Sequence, residues 1–289
     1  MDKLTWPFLG SEAIAAKAIP ERAMRLLYEP VYPGVYVPCG IEPTASQRAR
    51  SAWLWSRRRA VVAGNSAAAL LGAKWVSPAL DAELIHRNRH PTARIRVHTE
   101  TLLPGEVVEV DGMRVTSAAR TAFDIGRRTT SRLPAVQRLD ALVNATDVKP
   151  TDVEVVIADH PGARGVVRLR AVLPLVDGGA ESPQETRTRL VLIDAGLPRP
   201  QTQIRVVDDY GDFAARIDMG YEDLRVGIEY DGPQHWTDAG QRDRDIDRYS
   251  ALHALGWVII RVSSDLLRYR QATFVARVVA AMKAAGWRS

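Results

Sequence analysis

Three acidic residues lie in or beside two β-prone segments near the C-terminal end of the chain. In the segment 225–232, alternation along a strand turns Glu229 and Asp231 to one face, and Gly227 leaves space beside them. Asp218 lies in the preceding predicted strand, where hairpin pairing would bring it beside Glu229. Carboxylates that share a face repel one another, and a divalent cation with hard oxygen ligands removes that repulsion.

The spacing therefore predicts a Mg²⁺ or Mn²⁺ site formed by Asp218, Glu229 and Asp231 and suited to phosphodiester hydrolysis. The alternative is a pair of exposed strands whose polar residues simply face water, although wet strand faces more often mix charges of both signs.

The elements around these acids follow the order of an α/β sandwich. An apolar strand as short as the one predicted over 257–262 fits a buried parallel position. The predicted αβββαβα order runs through a helix over 182–195, strands over 203–207, 213–219 and 224–230, a helix over 249–255, that apolar strand, and a helix over 264–285.

Asp218, the run Glu229-Tyr230-Asp231-Gly232 and His235 together resemble the core of the PD-(D/E)XK nuclease superfamily. The resemblance is strongest to the very-short-patch mismatch repair endonuclease branch and its many bacterial relatives. The pattern covers about residues 180–285 and also includes Ser182-Pro183-Gln184-Glu185, Arg189, Asp245-Ile246-Asp247-Arg248, Leu252, Gly256-Trp257 and Arg261. The resemblance implies a restriction-endonuclease-like fold and a metal-dependent DNA endonuclease.

One position departs from the superfamily pattern. The usual catalytic lysine would stand two residues after Glu229, where this chain has Asp231. The related repair endonucleases also lack that lysine and use histidine, so the resemblance implies that His235 acts as general base or transition-state stabiliser. The alternative is a surface-loop histidine that packs on Trp236.

Three further residues have two interpretations each. The resemblance makes Glu185 a catalytic acid from the helix, whereas the sequence Ser182 to Glu185 also matches a helix capping box. Arg248 lies one helical turn after Asp245, so it either forms a surface ion pair with it or lies near the metal or the phosphate. Arg261, also a candidate DNA contact, lies in an apolar strand and needs a partner if buried, for which an acid of the site is suited.

The N-terminal part is predicted to contain two helices and a hairpin around Pro33-Gly34, the order of a winged helix-turn-helix or of a small helical cap. Residues 46–72 are predicted to be mainly helical, with Arg57, Arg58 and Arg59 beside tryptophans. That basic run fits contact with a phosphate backbone, and also a solvated helix face. Strands and then helices over about 80–175 indicate an α+β region that ends at the linker Asp177-Gly178-Gly179.

The N-terminal half resembles AbiEi-type antitoxins and related regulators, in which a winged helix binds promoter DNA. The resemblance covers about residues 10–145 and lies in the runs Gly34-Val35-Tyr36-Val37, 61–72 and 115–124. We therefore predict a winged-helix-like DNA-binding module over 1–60, an α+β AbiEi-like region over 61–178 and a nuclease-like domain over 180–289.

Composition narrows the class of protein further. The formal net charge of +5 and the pI of about 9.5 fit a polyanionic partner such as DNA. The single cysteine, Cys39, excludes intrachain disulfides and fits a reducing cytoplasm. We see no signal peptide and no apolar run of membrane-spanning length, and so expect a cytoplasmic protein. Glycine-rich phosphate loops and serine-hydrolase elbows are missing from the sequence.

Two functions remain open at this point. One is a metal-dependent DNA endonuclease with an N-terminal DNA-binding module. The other is a non-catalytic DNA-binding regulator or antitoxin that retains a degenerate nuclease fold, with a toxin or a repair protein as its partner.

Overall fold

The structure is a computed structural model that describes residues 5–87, 92–208, 210–232 and 239–288, with the backbone alone over 239–246. The chain divides into two compact units, Met1–Val176 and Asp177–Ser289. The division coincides with the predicted Asp177 linker. Within the described residues, no helix is long and apolar enough to cross a bilayer.

The N-terminal unit begins with a winged-helix-like arrangement, as the sequence predicts. Thr44 caps the third helix through a capping box with Gln47. The hairpin turns at Gly34, whose φ of +81° is a conformation that glycine adopts without strain. Strands pair in the order β1-β3-β2. The elements are β1 (Phe8–Leu9), α1 (Gly10–Ala15), α2 (Glu21–Leu27), β2 (Tyr28–Tyr32), β3 (Val35–Pro38) and α3 (Ala45–Trp55).

The helix predicted through Arg59 ends earlier than expected. Arg57 and Arg58 adopt φ angles of 56° and 62°, which a helix cannot accommodate. The β-branched residues Val61–Val62 then form β4, a strand that the sequence prediction missed. Helix α4 (Gly64–Leu70) follows.

A five-stranded sheet lies behind these elements, in the order β6-β5-β4-β8-β7. Its remaining strands are β5 (Ala82–Ile85), β6 (Ile95–His98), β7 (Val107–Val110) and β8 (Met113–Thr116). The helices that follow are α5 (Ala118–Arg128), α6 (Arg132–Ala145), α7 (Pro150–Asp159) and α8 (Val166–Val172). One hydrophobic core joins Leu9, Val35 and Trp53 to Leu84 and Val115, so residues on both sides of the predicted boundary at position 60 pack together.

The C-terminal unit has the predicted α/β order around a four-stranded sheet, β12-β11-β10-β9. Only β11 and β12 are parallel, and α10 connects them. The predicted terminal helix is broken at Arg270, whose φ of −137° is not helical. The elements are α9 (Pro183–Asp194), β9 (Gln201–Val207), β10 (Phe213–Tyr221), β11 (Val226–Asp231), α10 (Ala239–Ala254), β12 (Val258–Ser263), α11 (Ser264–Tyr269) and α12 (Gln271–Ala284).

Candidate active site

A row of polar residues crosses three strands of the C-terminal sheet. Strands β10 and β11 pair Met219 with Ile228, and the next step of this register places Asp218 opposite Glu229. Strands β9 and β10 pair Ile217 with Ile204 and Met219 with Thr202. Asp218 therefore lies opposite Gln203 on β9. Gln203, Asp218 and Glu229 therefore lie side by side, as the sequence predicts for the last two.

The sheet is locally distorted along this row. Gln203 has a φ of +53° inside a strand, a left-handed conformation that costs a residue with a Cβ roughly 1–2 kcal/mol. On β10, Ile217 packs in one hydrophobic cluster and Met219 in another, so the strand changes its packing at Asp218. The Asp218 carboxylate accepts a hydrogen bond from the Tyr230 backbone N–H at 2.9 Å. Distortion of this kind is typical of functional positions.

Glu185 adds a buried carboxylate from the first turn of α9. Ser182 caps the helix by accepting from the Glu185 N–H. The Glu185 side chain, only 7% exposed as a residue, accepts from the Glu181 N–H at 2.9 Å and from Gln203 Nε2 at 3.3 Å. The carboxylate thus turns toward Gln203 of the polar row, which favours the active-site interpretation over a capping box with Ser182.

The charge of these acids is incompletely balanced. Burial raises the pKa of Glu185 to about 7, and the negative charge of Asp218 contributes to the shift. Burial likewise raises the pKa of Asp218, with a further contribution from the charge of Glu229. Neighbouring carboxylates that are at least half-buried and have raised pKa values are a common feature of functional sites.

Glu229 is held by residues of α10. Arg248 donates to both of its carboxylate oxygens, at 2.7 and 2.8 Å, and the Tyr249 hydroxyl donates to Oε2 at 2.5 Å. A bidentate arginine contact is among the stronger and more directional ion pairs in proteins. Burial raises the pKa of Tyr249, and its hydrogen bond to Glu229 adds to this, so the hydroxyl remains a donor.

Asp231 has its own arginine. Arg261 donates to Asp231 Oδ2 at 2.6 Å, and it also lies beside Glu229 in the parallel register of β11 and β12. Arg261 therefore has the acidic partner that the sequence predicts for it, and this partner is Asp231. Both Arg248 and Arg261 lie over the ring of Tyr249, at 4.7 and 5.5 Å from its centroid.

Other predicted site residues lie elsewhere or outside the described residues. His235 and the side chain of Asp245 belong to the part of the chain that the structure does not describe. Arg58 is paired with Glu12 in the N-terminal unit, at 2.5 and 2.6 Å, while Arg57 and Arg59 are exposed.

The space predicted beside Gly227 is filled. A Cβ on Gly227 would lie 2.6 Å from Ile259 and 3.0 Å from Ile217. Gly227 thus allows isoleucine side chains to pack closely and does not open a cavity beside the acids.

Sequence reasoning missed Gln203 and Tyr249. Gln203 lies in an alternating strand segment, where an uncharged polar residue is ordinary. Tyr249 directly follows the Arg248 singled out by the sequence, and the predicted helix begins at it, but no pattern links its hydroxyl to Glu229.

The chemistry of these donors fits a hard divalent cation. Gln203 Oε1 is buried and has no hydrogen-bond partner in the described part of the chain, and it belongs to the amide that contacts Glu185. Together with Asp218 it completes an all-oxygen donor set of the kind that Mg²⁺ prefers. Among the described residues, no three acidic, histidine or cysteine side chains already converge on one point. Glu229 in particular is bound by Arg248 and Tyr249.

Comparison with known families agrees with both halves of the structure. Residues 59–175 match the AbiEi antitoxin C-terminal domain. Residues 199–282 match REase_MTES_1575, a restriction-endonuclease-like domain, and this range includes Asp218, Glu229 and Asp231. No solved structure matches the chain. The two resemblances predicted from the sequence are thereby confirmed.

Two relatives are similar to this chain over part of its length. They are uncharacterised proteins from two strains of Mycobacterium tuberculosis, CDC 1551 / Oshkosh and H37Rv. Each is 32% identical to this chain over 188 residues, which is 65% of this chain and 68% of the relative. The chain belongs to the family of these mycobacterial proteins, and it joins an AbiEi-type antitoxin region to a C-terminal domain of the PD-(D/E)XK nuclease superfamily.

Proposed function

We propose that the protein is a DNA endonuclease that hydrolyses phosphodiester bonds with Mg²⁺ or Mn²⁺ in its C-terminal unit. The observation that carries the proposal is the proximity of two carboxylates, the buried Glu185 and the half-buried Asp218, whose pKa values are both raised. A folded protein retains such repulsion at a cost in stability, and a bound cation removes that cost.

Asp218, Glu185 and the Gln203 carbonyl oxygen are the groups that would hold the cation. When bound, the metal would polarise the scissile phosphate and lower the pKa of a water molecule. Gln203 donates to Glu185 and fixes the direction of its carboxylate. Because the pKa of Glu185 is about 7 without a cation, a proton and the cation would compete for this carboxylate near neutral pH.

The remaining site residues have auxiliary roles in this proposal. Arg248 and Tyr249 hold the Glu229 carboxylate in the row of acids. Arg248 and Arg261 would contact DNA phosphates by exchanging a carboxylate partner for a phosphate oxygen, since guanidinium binds both groups in the same bidentate manner. His235 remains the predicted proton carrier and Asp231 the predicted additional acid.

The second candidate function is a non-catalytic regulator or antitoxin that binds DNA through its N-terminal unit. Two observations favour it. Residues 59–175 match the AbiEi antitoxin C-terminal domain, which supports a role in a toxin–antitoxin pair. In addition, Arg248 neutralises Glu229, an arrangement that a degenerate nuclease site would also tolerate. Under this alternative, a cognate toxin would be the partner.

The test is cleavage of plasmid and mismatched DNA by the full chain with Mg²⁺ or Mn²⁺. We expect Asp218→Ala and Glu229→Ala to reduce the rate by about 100-fold, because the first removes a carboxylate that would hold the cation and the second removes the acid that Arg248 and Tyr249 hold in the row. Asp223→Ala is the matched control, since Asp223 is an exposed carboxylate in the turn between β10 and β11. Absence of cleavage by the wild type, or equal rates in all four proteins, would contradict the endonuclease.

DNA binding without metal distinguishes the alternative. A regulator would bind promoter DNA in a salt-dependent way, and Arg57→Ala would weaken that binding while Glu229→Ala would leave it unchanged. Point substitution is preferable to deleting residues 1–60, because Leu9, Val35 and Trp53 belong to the core of the whole N-terminal unit.

A further inference from the structure

A cavity of about 720 Å³ lies at one end of the five-stranded sheet in the N-terminal unit. Four strand ends meet there. Arg59 precedes β4, and Val61 pairs with Ile85 near the end of β5. Arg114 lies on β8 beside the start of β4, and Thr99 follows β6. The topology thus brings residues from distant parts of the sequence around one concavity.

The rim of this cavity is cationic. Arg59, Arg87 and Arg114 line it, and none of them forms an ion pair with a described carboxylate. This differs from the arginines of the acidic site, where Arg248 and Arg261 are both paired. Three guanidinium groups with no ion-pair partner among the described residues form a site that favours an anion, and phosphate matches their fork-like geometry.

Glu100, the one carboxylate among the described lining residues, does not offset this charge. Arg127 donates to Glu100 at 2.5 Å, and Arg128 also donates to it. Although burial opposes ionisation, these two arginines lower the pKa of Glu100. Arg127 and Arg128, which do not line the cavity, therefore balance the negative charge of Glu100, and the net charge of the rim remains positive.

The floor of the cavity is apolar. Val61 and Ile85 line it and belong to a small hydrophobic cluster with Leu102 and Val107. His86 lies beside them, and burial together with the charge of Arg59 lowers its pKa, so the neutral imidazole is present near pH 7. An apolar floor under a cationic rim suits a ligand that has a flat ring at one end and an anionic group at the other.

We propose that this cavity binds a phosphorylated small molecule of nucleotide size, with the phosphate held by Arg59, Arg87 and Arg114 and the ring on Val61 and Ile85. The cavity volume lies within the range of about 300–1,000 Å³ that is usual for small-molecule sites. This site is separate from the proposed nuclease chemistry and does not depend on it.

The test is calorimetric titration of the full-length protein with nucleoside 5′-monophosphates, inorganic phosphate and adenosine as separate probes. We expect saturable binding of at least one nucleotide, tighter than that of phosphate or adenosine alone. Arg59→Ala and Arg114→Ala should each weaken it at least about 10-fold, because each removes charge-assisted hydrogen bonds. Arg59→Lys should weaken it less than Arg59→Ala, because it keeps the charge.

Arg96→Ala is the matched control. Arg96 lies on β6 of the same sheet, is paired with Asp81 and does not line the cavity, so its removal should leave nucleotide affinity unchanged. Three results would overturn the proposal. These are no nucleotide binding tighter than about 1 mM, equal affinity in the Arg59 and Arg114 variants, and preference for an oligonucleotide over every mononucleotide. The last result would identify the cavity as a nucleic-acid contact.

Discussion

At the scale of single residues, the acids of the C-terminal unit differ in how their charge is balanced. Glu229 and Asp231 each have an arginine, whereas Glu185 and Asp218 accept hydrogen bonds but form no ion pair with a described residue. The pKa values of Glu185 and Asp218 are both raised, chiefly by burial. The unbalanced pair is where a cation would have its largest effect.

The raised pKa of Glu185 predicts how stability depends on pH. In the folded state the pKa is about 7, above the ordinary value of 4.5, so the folded protein binds the proton more tightly. This contribution to stability is complete below about pH 4.5 and is lost as pH rises through about 7. Glu185→Gln cannot ionise, and we expect it to be more stable than wild type at pH 8, by about 2–3 kcal/mol at most. Urea denaturation at pH 5 and pH 8 measures the difference.

The same pair of proteins reports on the cation. Mg²⁺ should stabilise the wild type at pH 8 more than at pH 5, and should stabilise Glu185→Gln less, because only an ionised carboxylate attracts the ion strongly. Asp223→Ala should respond as wild type does. A stability difference between wild type and Glu185→Gln that is the same at both pH values would show that the pKa of Glu185 is not raised.

At the scale of elements, strand β9 contains one residue, Gln203, that has an unfavourable backbone conformation and also contacts an acid of the site. The backbone of Gln203 is left-handed. Its side-chain Nε2 donates to Glu185, and its side-chain Oε1 has no hydrogen-bond partner within the described residues. The backbone and the amide can be tested separately, because glycine adopts positive φ without strain and lacks the amide.

We predict that Gln203→Gly and Gln203→Leu separate these two contributions. Gln203→Gly should retain stability within about 1 kcal/mol, since relief of strain offsets the lost hydrogen bond. Gln203→Leu keeps the strain and should be less stable. Both should weaken Mg²⁺ binding by about 10-fold or more, since a residue that orients a ligand typically contributes that much.

Titration of Mg²⁺ against intrinsic fluorescence or thermal stability measures this affinity. Thr202→Gly serves as the control, because Thr202 is the neighbouring residue on β9 and its hydroxyl donates to Asp177, which is not one of the proposed cation ligands. Unchanged Mg²⁺ affinity in both Gln203 variants would exclude the amide from the site.

These elements also show which parts of the site can be predicted from the sequence. Alternation along β11 is sufficient to predict that Glu229 and Asp231 share a face, and hairpin pairing is sufficient to predict Asp218 beside Glu229. The hydrogen-bond partners of Glu229 are harder to predict, because Arg248 and Tyr249 lie on a helix, and packing against the sheet decides which face of that helix points toward the acids. Strand β4 has only two residues and is stabilised by its neighbours in the sheet, so local propensity could not reveal it.

At the scale of the whole molecule, each unit has its own ionic system. The N-terminal unit contains a buried network in which Asp124, with none of its surface exposed, contacts Arg120, Arg127 and Arg128 at 3.2, 2.7 and 3.1 Å. Glu106 joins it through Arg120 at 2.5 Å. The C-terminal unit contains the partly unbalanced acids described above.

Because the chain divides into two compact units, we predict two unfolding transitions in calorimetry that respond to different perturbations. Asp124→Asn should lower only the free energy of unfolding of the N-terminal unit, by about 3 kcal/mol or more, because it removes the fully buried carboxylate that contacts Arg120, Arg127 and Arg128. Glu185→Gln and Mg²⁺ should shift only the C-terminal transition at pH 8, and a nucleotide that fills the cavity should shift only the N-terminal one. If Asp124→Asn and Mg²⁺ instead moved a single common transition, the two units would unfold as one, and the two proposed sites would be energetically coupled.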